Sequence, residues 1–120
     1  MSEYENRSAR ILICSTCQGE RSRKVEGDTL NDALRRAGLA DQVNVEFAGC
    51  IGSCIAPVSI GLQGDGRASY VFSGIDLLKD ADDIAATCRV YLNTRKGWIV
   101  DAHVCGRLRE CLQTRLPVLR

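Results

Sequence analysis

The chain is 120 residues long, 45% hydrophobic and 26% charged, with a formal net charge of +1; this is the make-up of a globular chain, not of a disordered, fibrous or repeat protein. Its apolar runs fall far short of the roughly 20 residues a membrane helix needs. The polar start MSEYENRSAR has no signal core, so the expectation is a cytoplasmic protein with no membrane partner.

In chain order, ARILIC (9–14) is an apolar run that reads as a buried first strand ending at Cys14. QGERSRKVEGD reads as a charged, glycine-bearing loop. DTLNDALRRAGLA then predicts a helix from about Asp28, with Leu30, Ala33, Leu34 and Ala37 on one face and Gly38 as its C-cap. VNVEFAG alternates Val43, Val45 and Phe47 with polar neighbours, the period of a strand. PVSIGL and ASYVFSG, joined by the glycine-rich QGDGR, predict a hairpin. IDLLKDADDIAATCRVYLNTR predicts a second helix whose stripe includes Ile84, Ala85, Cys88 and Tyr91. In the tail, GWIVDAHVC is expected as a further strand and GRLRECLQTRL as a short helix ending before Pro117. A β-α-β unit followed by β-β-α gives an α/β (α+β) chain, a mixed sheet with helices packed on it. That is the core layout of thioredoxin-like folds. Residues 1–95 would form that body, and 96–120 an extension packed on it, with Trp98 pinning the tail to the sheet or to a second subunit.

Charge is unevenly placed. Residues 28–83 hold nine acidic and four basic side chains, whereas residues 84–120 hold two acidic and seven basic ones. Such asymmetry suits solvated faces and also an electrostatically steered protein partner. No aromatic residues interleave with the basic ones, so a nucleic-acid partner gains no support.

Seven cysteines in a chain without an export signal argue for metal binding or redox work over a disulfide framework. Two pairs stand out: Cys14 and Cys17 in ILICSTCQGE, and Cys50 and Cys54 in FAGCIGSCIAPVSIGL. If the first two strands are parallel neighbours, both pairs emerge at one edge of the sheet. Three readings compete there. Zinc takes four thiolates, and the C-x2-C half fits it better than the C-x3-C half. A [2Fe–2S] cluster also takes four thiolates, two to each iron. A reactive dithiol at Cys14 and Cys17 is the third, and it would want a helix directly after Cys17. Gly49 and Gly52 flank Cys50, and their loop can turn peptide N–H groups toward sulfur, which stabilises an anionic cluster. Cys88 reads as a small core residue. His103 with Cys105 would be at most half a metal site.

The segment CIGSCIAPVSIGL resembles the C-x-G-x-C-x-x-A-P pattern of thioredoxin-like [2Fe–2S] ferredoxins, through Cys50, Gly52, Cys54, Ala56 and Pro57, then a strand, a glycine turn and Tyr70-Val71. The pattern also occurs in the ferredoxin-like subunits of respiratory complex I and NAD-linked hydrogenases. The order of elements matches from Ile11 to about Leu92. The first pair is spaced more tightly here than is usual in those ferredoxins. The tail from Lys96 has no counterpart in them. Both features are similar to a bacterial family of small predicted metal-binding proteins. The resemblance implies four cysteine ligands (Cys14, Cys17, Cys50 and Cys54), one [2Fe–2S] cluster and one-electron transfer to a redox partner protein, with no catalysis of bond chemistry. Zinc at the same cysteines remains the alternative, a thiol–disulfide oxidoreductase the third reading, and a homodimer through the hairpin edge or the tail is compatible with all three.

Overall fold

A computed structural model of the chain describes residues 9–14, 23–48, 58–100 and 103–117. Along β1 (Ala9–Cys14), Ala9, Ile11 and Ile13 are buried and Arg10 is exposed, the alternation a strand with one covered face requires. β1 pairs in parallel with β2 (Val43–Ala48) and antiparallel with β3 (Ile60–Gly64). β3 turns through Gly66, at a positive φ of 67°, into antiparallel β4 (Ser69–Phe72). A fifth strand, β5 (Leu112–Leu116), pairs antiparallel with β4, so the sheet runs β2-β1-β3-β4-β5.

Helices α1 (Arg23–Arg36) and α2 (Ala81–Asn93) pack against each other. Leu30 and Leu34 from α1, and Ile84, Cys88 and Tyr91 from α2, join Ile11, Ile13, Ile60, Leu62, Tyr70 and Phe72 in one core. Each such large side chain contributes about 1.5–3 kcal/mol through burial. The opposite sheet face is polar at Arg10, whose guanidinium donates to Gln63 Oε1 at 2.9 Å and lies 3.7 Å from Glu46. The result is a five-stranded mixed sheet carrying helices, an α+β arrangement of the thioredoxin-like kind.

Three elements differ from the sequence expectation. α1 begins at Arg23, five residues before Asp28. Gly27, which reads as a helix breaker, sits inside it because Phe47 of β2 lies against it; a Cβ there would come within 2.9 Å of the ring. α2 begins only at Ala81, because the Asp76 carboxylate accepts from the N–H groups of Leu78 and Lys79 and closes a turn before the helix. The tail holds a 3-10 turn at His103–Cys105 and a one-turn helix, α3 (Leu108–Cys111), and LQTRL continues as β5. Its leucine, glutamine and arginine suit a helix, but pairing with the outer edge of β4 outweighs that local preference.

Besides the β4–β5 pairing and the burial of Cys105, Leu108 and Cys111, two side-chain contacts tie the extension to the body. The Tyr70 hydroxyl donates to the Gly97 carbonyl at 2.9 Å and accepts from the Ile99 N–H at 2.8 Å. At the second point Arg107 donates from Nε to Asp80 Oδ1 at 3.0 Å and from Nη2 to Asp80 Oδ2 and the Gly74 carbonyl. Gly106, at a φ of 62°, fits where a Cβ would collide with the Asp83 carboxylate 2.5 Å away. Burial raises the Asp80 pKa, but Arg107 and the Asp76 N–H outweigh that and hold it below the ordinary carboxylate range. The contribution of this pair is therefore present above about pH 4 and lost as pH falls through the depressed folded value. Arg107→Ala leaves the buried Asp80 carboxylate without its cation, though still accepting from the Asp76 N–H, and is expected to lower stability to denaturant by about 1–3 kcal/mol at pH 7. That deficit should shrink as Asp80 protonates, so denaturation curves at neutral and acid pH check both its size and its sign.

Candidate metal centre

Cys14 closes β1 and is fully buried. Its register partner on β2 is Ala48, and its own N–H donates to the Ser59 carbonyl at 3.0 Å, just ahead of β3. Cys14 therefore sits between the end of β2 and the entry to β3, with adjacent strands about 4.8 Å apart. Segment 15–22, which carries Cys17, leaves from Cys14 itself. Segment 49–57, which carries Gly49, Cys50, Gly52 and Cys54, leaves from Ala48 on one side of Cys14 and returns at Val58 on the other. Val58 and Ile75 exchange two backbone hydrogen bonds, of 3.0 and 3.3 Å, which fix the point of return.

Cys17, Cys50, Cys54, Gly49 and Gly52 lie outside the described residues. The described residues that bound their segments are Cys14, Ala48 and Val58. All three anchors are at one end of the sheet. The structure thus confirms the parallel β1–β2 register on which the sequence argument for one shared edge rests. It also brings in Ser59, fully buried, whose carbonyl ties Cys14 to the returning segment. The signal for Ser59 in the sequence is a lone polar residue in the apolar run PVSIGL. The early start of α1 removes part of the objection to a dithiol at Cys14 and Cys17, since the helix begins six residues after Cys17.

The donor set suits a soft-metal site. Four thiolates are the usual ligands of iron–sulfur clusters and of structural zinc. The remaining thiols are different in kind. Cys88, Cys105 and Cys111 are buried and not in disulfides. Burial, with the nearby Cys105 adding to it, pushes the Cys88 thiol up to about 12. The Cys111 thiol is raised by burial, which Asp80 and Glu110 reinforce against the opposing charge of Arg107. Among the described residues no three His, Cys, Asp or Glu side chains are grouped to hold a metal ion, so His103 and Cys105 do not form part of such a group there.

Comparison with known proteins agrees with this frame. Two solved structures of the thioredoxin-like [2Fe–2S] ferredoxin from Aquifex aeolicus are similar to it, each with a TM-score of 0.50 and 12% identity. The first similarity covers 91% of this chain and 93% of that one; the second covers 90% and 98%. At that identity the likeness shows the fold alone, a thioredoxin-like one. The sequence profile of the family described as "Protein of unknown function (DUF1636)" matches residues 11–118, and the chain belongs to that family. No curated protein matches the chain in sequence. Among the described residues, no helix is long and apolar enough to cross a membrane.

Cys88 is expected to resist alkylation in the native protein at pH 8, because burial keeps its thiol both protonated and inaccessible. Mass spectrometry after iodoacetamide treatment checks this: Cys88 should be labelled only once denaturant is added.

Proposed function

We propose that this chain is a ferredoxin-like one-electron carrier, holding a [2Fe–2S] cluster through Cys14, Cys17, Cys50 and Cys54. The observation that carries the reading is the position of Cys14, buried between the exit and the return of the segment that bears Cys50 and Cys54. The fold likeness to a protein described as a thioredoxin-like [2Fe–2S] ferredoxin supports it. When bound, such a cluster takes up and gives back one electron at low potential. The chain's own contributions are to exclude water and to position sulfur. Cys14 is fully buried, so its thiol is kept from water. Gly49 and Gly52, as glycines on either side of Cys50, would let peptide N–H groups turn toward cluster sulfurs.

The protein acts in this reading as a carrier and not as an enzyme, in the cytoplasm, with a redox partner protein that docks over a small, charged surface and without nucleic acid or membrane. The basic segment from Ile84 to Arg120 suits an acidic partner.

Anaerobic purification tests the assignment. The expected result is a red-brown protein containing iron and acid-labile sulfide in equal amounts, with an electron paramagnetic resonance signal that appears on reduction. A colourless chain with about one zinc bound would establish the zinc-binding alternative at the same cysteines. A colourless, metal-free chain whose Cys14 and Cys17 cycle with a disulfide would establish the oxidoreductase.

Two substitutions locate the site. Cys14→Ser should abolish or strongly bleach the visible absorption and drop the iron content several-fold. Cys88→Ala should leave the spectrum intact and cost about 1–2 kcal/mol of stability through a small core cavity.

A further inference from the structure

Cys14 has a polar neighbour that the cysteine spacing does not reveal. Ile13 of β1 stands opposite Ile60 of β3, and the donation from the Cys14 N–H to the Ser59 carbonyl, at 3.0 Å, carries that antiparallel register one pair further. Cys14 and Ser59 are therefore directly opposed residues on neighbouring strands. The side chains of such a pair lie on one face of the sheet, with Cβ atoms about 4.5–5.5 Å apart. Ile13 and Ile60 belong to the core beneath the helices, so strand alternation turns Cys14 and Ser59 to the other face, that of Arg10.

Both residues are nonetheless fully buried, at 0% exposure. A buried hydroxyl costs free energy unless it is hydrogen-bonded. Ser59 lies in the apolar run PVSIGL, where an alanine would fill nearly the same space without that requirement. The side chain across from its single O–H donor ends in sulfur, and a thiolate accepts such a donor in a charge-assisted bond, stronger than a neutral one. Oγ and Sγ are each one atom beyond Cβ, so rotation about χ1 alone brings the two toward each other.

We propose that Ser59 is a positioning residue for Cys14: its hydroxyl donates to the Cys14 sulfur when that sulfur is a ligand, holds the thiolate in one rotamer and raises the reduction potential of the centre. The inference rests on the reading of Cys14 as a cluster ligand and adds to it a group outside the four cysteines. Hydrogen bonds to ligand sulfurs are among the levers that set iron–sulfur potentials. A donor there stabilises the reduced state more, because that state carries the greater negative charge.

Redox titration of anaerobically purified wild type, Ser59→Ala, Ser59→Thr and Ser73→Ala tests the assignment, followed by visible absorption and electron paramagnetic resonance. Ser59→Ala removes the donor and should make reduction about tenfold less favourable, a potential about 59 mV more negative for one electron. Ser59→Thr keeps the hydroxyl and should restore the wild-type value. Ser73, also buried and just past β4, is the packing control; Ser73→Ala should leave the potential unchanged. The iron–cysteine stretching bands of the resonance Raman spectrum should shift in Ser59→Ala alone. Equal potentials in wild type and Ser59→Ala overturn the proposal, as does a shift shared by Ser73→Ala or one that Ser59→Thr does not reverse. Loss of iron from Ser59→Ala and Ser59→Gly alike makes the residue structural and overturns it too. A wild-type chain that binds no iron overturns the carrier reading and this assignment together, and that result precedes any substitution.

Discussion

The site depends on strand pairing at one end of β1. Because β2 runs parallel to β1 with Ala48 beside Cys14, and β3 runs antiparallel with Ser59 hydrogen-bonded to Cys14, a single strand end borders both the exit and the return of segment 49–57. Sequence separation between the cysteine pairs is large, yet their anchors are a strand spacing apart. The strand ends that bound the cysteine-bearing segments are brought together by a sheet whose burial of apolar side chains would be needed in any case. A metal site built on such a frame asks little further ordering of its first ligand.

Local periodicity was enough for the central elements. The apolar run ARILIC and the stripe through Ile84, Cys88 and Tyr91 correspond to β1 and α2 because each buries one regular face, whereas VNVEFAG forms β2 with Val43 buried and Phe47 49% exposed. It failed where a residue's role was set by a distant neighbour. Gly27 belongs to a helix because of Phe47, and Asp76 ends a loop by capping a turn. LQTRL becomes a strand because β4 leaves hydrogen-bonding groups unmet, and nothing within those five residues announces it. The positions of Cys17, Cys50 and Cys54 were legible only as spacing and motif, while that of Cys14 was legible as a strand end.

The extension is part of the structure and not an ornament on it. Tyr70 belongs to β4 but fixes Gly97 and Ile99, and Asp80 precedes α2 but fixes Arg107. Together with the β4–β5 pairing, these two contacts bring the tail back along the hairpin, at the opposite side of the sheet from β2.

The convergence of thiolates from two loops is tested most directly by crystals of anaerobically purified protein, with anomalous scattering recorded at the iron absorption edge. The account predicts iron at the end of β1, with Cys14 among the residues that would hold it. Absence of iron there, or a metal bound at His103 and the tail cysteines instead, would contradict it.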